Sequence, residues 1–270
     1  MKAAMATPIA VTIAGSDSSG GAGIQADVKT FSALGVYGAS VIAALTAQNT
    51  EGVAAIHEVP PAFVAAQMDA VFSDLAVGAV KIGMLGTANV IATVAAGLER
   101  HKQRKVVLDP VMVATSGRRL LAPDAIEALR TQLLPRALVL TPNLPEAAAL
   151  LDASQAADES EILHQADRLI ALGANAVLMK GGHAGGAASI DVLVTATASI
   201  RVVGERIQTL NTHGTGCTLS AAIAAGLARD RGLTEAVRDA KEYITSAIAA
   251  ADRLAIGKGP GPVHHFYRWW

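Results

Sequence analysis

The chain reads as an α/β protein with three layers, a mostly parallel central sheet carrying helices on both faces. Three observations predict it. Short runs of aliphatic residues, such as Ile9-Ala10-Val11-Thr12-Ile13 and Val106-Val107-Leu108, lack the polar alternation of a strand with one wet face. Segments of helical periodicity lie between these runs. Aromatic residues make up only 3% of a chain that is 51% hydrophobic, so small aliphatics packed between layers must build the core. With 270 residues, one domain over 1–270 is the simplest division.

Residues 1–7 are expected to form a short unstructured leader before a buried strand, Ile9 to Gly15. After a loop from Ser16 to Gly23, the spacing of Ile24, Val28, Phe31 and Leu34 predicts a helix that Gly35 stops. Gly38 to Gln48 reads as a second strand. There follow a helix over Pro61 to Asp74, a strand over Val77 to Ile82, a helix over Ala88 to His101 and a strand over Val106 to Leu108. The alternation continues with a helix over Ala125 to Leu134, a strand over Leu138 to Leu140, and helices over Leu144 to Leu151 and Glu161 to Leu172. A strand over Ala176 to Lys180 comes next, and Ser189 to Thr195 with Ser199 to Val203 resembles an antiparallel edge. A helix from Cys217 and a long one over Thr234 to Leu254 close the chain, the latter with Val237, Ile244, Ile248 and Leu254 as its apolar stripe. The tail Gly261-Pro262-Val263-His264-His265-Phe266-Tyr267-Arg268-Trp269-Trp270 reads as a packed arm in preference to a metal site.

A formal net charge of −1 with scattered basic residues argues against a nucleic-acid or polybasic membrane partner, which leaves a small molecule. One cysteine excludes an internal disulfide and suits a reducing compartment. No run of about 20 apolar residues is free of charge or glycine, so a cytoplasmic protein is expected.

The chemistry concentrates in Asn211 to Leu227. Gly214-Thr215-Gly216 precedes a helix, whose first turn has unpaired N–H groups and the positive end of the macrodipole, a setting that attracts phosphate. Cys217 then lies beside the bound group, where a helix N-terminus lowers a thiol pKa. The competing reading is a buried structural cysteine after glycines that only end a strand. Gly21 to Ala26 matches a dinucleotide fingerprint by letter, but a loop separates it from its strand and no acidic residue stands about 20 positions on, which excludes a dehydrogenase. No Walker A loop is present. Asp109 and Glu146 follow predicted strands, where open α/β sheets place ligands, and their oxygens suit magnesium; each alone also fits a helix cap or surface charge. Lys180, in Met179-Lys180-Gly181-Gly182-His183, neutralises phosphate or is simply solvated. Gln48 carries a donor and an acceptor side by side, as an aminopyrimidine edge needs and as a loop amide also does.

Taken together, the stretches Ala14-Gly15-Ser16-Asp17, Ser19 to Asp27, Ala47-Gln48-Asn49-Thr50, Lys81-Ile82-Gly83-Met84-Leu85, Leu108 to Met112, Thr141 to Glu146, Met179 to His183 and Asn211 to Ala222 resemble the ribokinase-like superfamily, and within it the hydroxymethylpyrimidine/phosphomethylpyrimidine kinases. The resemblance covers nearly the whole chain. It implies two successive ATP- and magnesium-dependent phosphorylations of one pyrimidine, in thiamine biosynthesis, at one site of a homodimer. It further implies that Gln48 bonds the ring edge while Gly15, Ala22, Met84 and Val111 shape the pocket. Gly214, Thr215 and Gly216 form the anion hole and Cys217 acts as base, Lys180, Asn143 and Thr212 meet ATP, and Asp109 and Glu146 attend the metal. Most sugar kinases of the superfamily have aspartate where Cys217 stands. Two rivals remain: a pyridoxal kinase on the same scaffold, against which Gln48 and Met84 speak, and a binding protein without catalysis.

Overall fold

The computed structural model describes residues 7–113, 117, 120–122, 124–181 and 188–270. Strand β1 (Ile9–Gly15) is buried almost throughout, because both its faces meet helices. Val11 and Ile13 face one layer and Ala10 the other. The same division by alternate residues runs through β4 (Ala79–Ile82), β5 (Val106–Leu108), β6 (Val139–Leu140) and β7 (Ala176–Met179). These strands are therefore apolar almost throughout, broken only by Thr12 in β1 and Lys81 in β4. Together with β2 (Tyr37–Asn49), β3 (Gly52–Glu58), β8 (Ala188–Thr195) and β9 (Ser199–Glu205), they form one sheet in the order β3-β2-β1-β4-β5-β6-β7-β8-β9. The strands from β2 to β7 are parallel, whereas β3, β8 and β9 join antiparallel at the two ends.

Helices α1 (Gly23–Ala33), α7 (Thr215–Ala228) and α8 (Leu233–Ala249) cover one face through Phe31, Leu219, Ile223, Val237 and Ile244. The other face takes α2 (Pro61–Asp74), α3 (Ala88–Arg100), α4 (Ala125–Ala128), α5 (Leu144–Leu151) and α6 (Glu159–Ala171). The two apolar clusters either side of the sheet make this a three-layer α/β structure. The chain leaves β1 toward β2 and later returns to β4 on β1's other side. That reversal opens a crevice at the carboxyl ends of the strands, where Gly15, Met84, Asp109, Asn143 and Lys180 all lie.

The expectations for four helices need correction, and one strand is unforeseen. Strand β3 went unrecognised, because its alanines face solvent and only Val53 is buried. The helix expected over Ala125 to Leu134 is α-helical only to Ala128 and widens into a π-turn over Leu129–Leu133, then tightens into a 3₁₀ turn at Leu134–Arg136 with Pro135 in it. Helix α8 stops at Ala249 and a 3₁₀ turn follows at Ala251–Arg253, so Leu254 lies outside its stripe. Helices α6 and α7 begin at Glu159 and Thr215, two residues earlier than periodicity places them, the first because Asp158 accepts the Glu161 amide as a cap. The leader, except Thr7, and Gly182-His183 lie outside the described residues.

Candidate active site

The crevice is a cleft of about 890 Å³. Every residue singled out from the sequence lines it: Gly15, Ala22, Gln48, Met84, Asp109, Val111, Asn143, Glu146, Lys180, Thr212, Gly214, Thr215, Gly216 and Cys217. They come from the ends of β1, β2, β4, β5 and β6, the residue before α1, the bridge after β7 and the turn into α7, so only the folded sheet collects them.

At one end, Gly214 is the residue before α7 and adopts φ +81°. A side chain there would also strike the carbonyl of Gly21, so glycine is required twice over. The turn leaves the first N–H groups of α7 pointing outward; among the described residues, the amides of Gly216 and Cys217 make no hydrogen bond. Unpaired amides at the positive end of a helix make an anion cradle. A Cβ on Gly216 would sit 3.5 Å from Lys180 Nζ and 3.8 Å from Asp109 Oδ2, so its absence keeps the cradle open toward those charges.

An alternating row of charges floors the cleft. Lys180 Nζ donates to Asp109 Oδ1 at 2.9 Å and lies 3.7 Å from Glu146 Oε2. Thr141 and Ser220 hydroxyls, at 3.1 and 3.2 Å, also approach the Asp109 carboxylate. Burial pushes the Asp109 carboxyl up, but Lys180 and Lys81 outweigh burial and hold it below the usual carboxylate range. Glu146 goes the other way, raised by burial against the pull of Lys180. Burial opposes the Lys180 ammonium, yet Asp109 and Glu146 keep it firmly protonated. Glu146 and Asn143 form a capping box: the Asn143 side chain accepts the Glu146 amide and the Glu146 carboxylate accepts the Asn143 amide, each at 2.8 Å. The cap alternative for Glu146 is thus real, and it fixes the carboxylate beside Lys180.

The expectation for Cys217 is corrected. Its thiol is pushed up to about 11 by burial, with Lys81 pulling the other way and Asp27 and Asp109 adding to the rise. The helix N-terminus that should lower the value is outweighed because neighbouring carboxylates and apolar walls disfavour a second anion.

At the other end, Gly15 lies against Met84: a Cβ there would stand 2.6 Å from the Met84 methyl. Thr46, Gln48 and Ser16 continue this wall. Two functional groups escaped the sequence reading. Lys81 donates to Asp27 Oδ2 at 2.8 Å, both side chains fully buried, with Thr12 Oγ1 donating to the same oxygen at 2.6 Å. Asp17 accepts from Ser19, the Gly21 and Ala22 amides and His213 Nε2, the last at 2.8 Å. Burial raises its carboxyl, but His213, Ser19 and Ala22 outweigh burial and hold it at about 2. A lysine inside the apolar strand Ala79-Val80-Lys81-Ile82 was the available signal for the first pair. The tail is a packed arm: His264 and His265 are buried, and His265 Nε2 lies 3.0 Å from Thr218 Oγ1. No cluster of three metal-type side chains occurs among the described residues.

A doubly covered parallel sheet, an anion cradle on α7 and a lysine–carboxylate row facing it define a small-molecule kinase of the ribokinase-like type. A phosphomethylpyrimidine kinase profile matches residues 17–264, and the chain belongs to that family. It is 61% identical over 264 residues, 98% of this chain and 99% of the other, to the hydroxymethylpyrimidine/phosphomethylpyrimidine kinase of Rhizobium meliloti. Among solved structures it is similar to an ADP complex of Bacillus subtilis pyridoxal kinase, with a TM-score of 0.90, 36% identity and coverage of 98% and 100% of the two chains. It is also similar to Clostridium difficile phosphomethylpyrimidine kinase, with a TM-score of 0.79, 43% identity and coverage of 89% and 99%.

Proposed function

We propose that the protein uses ATP to phosphorylate the hydroxymethyl group of 4-amino-5-hydroxymethyl-2-methylpyrimidine, and then the monophosphate to the diphosphate, at this one site in thiamine biosynthesis. The observation that carries the reading is the single cleft joining the Gln48 and Met84 wall to the α7 cradle and Lys180. The pyrimidine lies on Gln48, with Gly15, Ala22, Met84 and Val111 around the ring, and its hydroxymethyl group points to Cys217. The Gly214-Thr215-Gly216 turn receives the transferring phosphoryl group, and Lys180, Asn143 and Thr212 meet ATP.

Phosphoryl transfer through a loose transition state asks for alignment and charge neutralisation more than for a strong base. A thiol that is mostly protonated at neutral pH is compatible with that demand, its small thiolate fraction taking the hydroxyl proton late in the transfer. In the second transfer the nucleophile is a phosphate already largely ionised, so Cys217 matters chiefly for the first. Asp109 and Glu146, both on the cleft wall, are the hard oxygen donors that magnesium prefers. When bound there, magnesium neutralises charge developing on the phosphate oxygens. Lys180 Nζ stands between the two carboxylates as a competing cation, so magnesium would be held by them together with the phosphates of ATP. The working unit is proposed to be a cytoplasmic homodimer; no helix among the described residues is long and apolar enough to cross a membrane.

The test is mass spectrometry of products from ATP and magnesium with hydroxymethylpyrimidine, its monophosphate and pyridoxal in separate reactions. Mono- and diphosphate from the pyrimidines are expected. Pyridoxal phosphate as the dominant product would overturn the substrate, and no product at all would leave a binding protein.

A further inference from the structure

Gln48 can read an aminopyrimidine only if its amide faces the cleft one way round. Exchanging oxygen and nitrogen would present a donor where the ring needs an acceptor. The surroundings decide this through two neighbours. The Gln48 amide atom labelled Nε2 lies 3.4 Å from His213 Nε2, and Oε1 lies 3.2 Å from Thr46 Oγ1. His213 Nε2 stands 2.8 Å from Asp17 Oδ2, and an ionised carboxylate only accepts, so that nitrogen carries a hydrogen and cannot also accept one from Gln48. The Thr46 hydroxyl stands 2.8 Å from the Ser16 carbonyl, which likewise only accepts, so its single hydrogen is spent there. The one His213 hydrogen points at Asp17, so Gln48 gains no more than a long shared contact from it, but an oxygen there faces the positive N–H edge where an NH2 would meet it donor to donor; both neighbours therefore favour the exchanged amide, oxygen toward His213 and nitrogen toward Thr46. One N–H and one oxygen lone pair then remain for the cleft.

The His213 ring is itself held. A Cβ on Gly21 would collide with its Cδ2, so it packs directly on that backbone. Its own backbone is paired with the C-terminal segment, His213 N donating to Gly261 O at 3.0 Å and Val263 N to His213 O at 3.3 Å. The same segment reaches the end of β2: the Lys258 and Gly259 amides both donate to Thr50 Oγ1 at 3.1 Å, two residues beyond Gln48. The Ser18 hydroxyl receives the Gln48 amide N–H at 2.8 Å. Gln48 and His213, 165 residues apart, are thus tied to one strap.

We propose that His213 is a specificity-determining positioning residue: anchored on Asp17 and clamped by the C-terminal strap, it fixes the orientation of the Gln48 amide and so the preference for an aminopyrimidine edge. This rests on the proposed substrate. His213→Leu should raise KM for hydroxymethylpyrimidine about fivefold while kcat and KM for ATP stay within about twofold, because it removes the N–H edge that turns the Gln48 NH2 away. His213→Gln, which keeps a donor for Asp17, should recover most of it. In a Gln48→Ala background, His213→Leu should add little, since both changes remove one interaction. Additive effects in that cycle, an unchanged pyrimidine KM, or a loss falling equally on ATP would overturn the proposal. Should the leucine variant fail to fold by circular dichroism, His213→Asn, too short to span Asp17 and Gln48, reads the same effect. Calorimetry with the pyrimidine alone separates this from the kinase reading. Binding that depends on His213 without turnover sinks the kinase and keeps the positioning role; no binding by the unaltered protein sinks the positioning role too.

Discussion

Replacing Lys81 with methionine tests the buried charge pair. The side chain is similar in length and apolar, so the change removes the ammonium while filling most of the space. Asp27 would keep only the Thr12 hydroxyl, because its Oδ1 has no hydrogen-bond partner among the described residues. Both members of the pair are 0% exposed, so water does not screen the loss. Breaking such a pair from one side costs about 3–5 kcal/mol, a large part of the roughly 5–15 kcal/mol that holds a protein folded. Urea unfolding at pH 7 should show the deficit, and Lys81→Met with Asp27→Leu should restore most of it, since two apolar groups replace two charges. The pH dependence has a defined sign. An unpaired buried carboxyl has a folded pKa above its ordinary 3.8, so stability is greatest below that value and is lost as pH rises through the folded pKa. The deficit of Lys81→Met should therefore shrink between pH 7 and pH 5. A single variant within about 1 kcal/mol of the unaltered protein would refute the reasoning, as would a double variant no more stable than the single.

Three further outcomes are expected. Cys217→Ala should slow the first phosphorylation about 100-fold and the second far less, and with the thiol at about 11 the first rate should climb with pH across 7 to 9 while the second stays flat; equal slowing of both steps would remove the base role. Lys180→Met should lower kcat by about 10²–10³, with the pyrimidine KM little changed, because it removes charge facing the phosphoryl group; a change confined to KM would contradict that placement. Gly214→Ala forces a side chain into a left-handed turn and onto the Gly21 carbonyl, so thermal unfolding should come several degrees earlier, at a cost of about 1–3 kcal/mol; unchanged stability with full activity would show the turn to be more tolerant than its geometry implies.

Much of this was legible before folding because local patterns carried it. Strands buried on both faces are expected to be apolar throughout; β5 and β7 are, and β1 and β4 are broken only by Thr12 and Lys81. The Gly-Thr-Gly turn announces α7 through conformational freedom that only glycine has at position 214. Features set by distant partners did not show. Lys81 and Asp27 look like two flaws in apolar elements until the sheet brings them to 2.8 Å. The Cys217 shift depends on burial and on carboxylates from α1 and β5, whereas the sequence displays only the helix terminus. Strand β3 buries too little to leave a pattern, and is made by pairing with β2.

The strap has a spectroscopic consequence. Both tryptophans of the sequence, Trp269 and Trp270, stand at its end, largely exposed, with the Trp270 ring 4.7 Å from that of His264. Indole emission from this protein therefore comes wholly from the segment that clamps His213. A shift or quenching of that emission on adding a pyrimidine would report, without any label, that the seating of the arm and the filling of the cleft are one event.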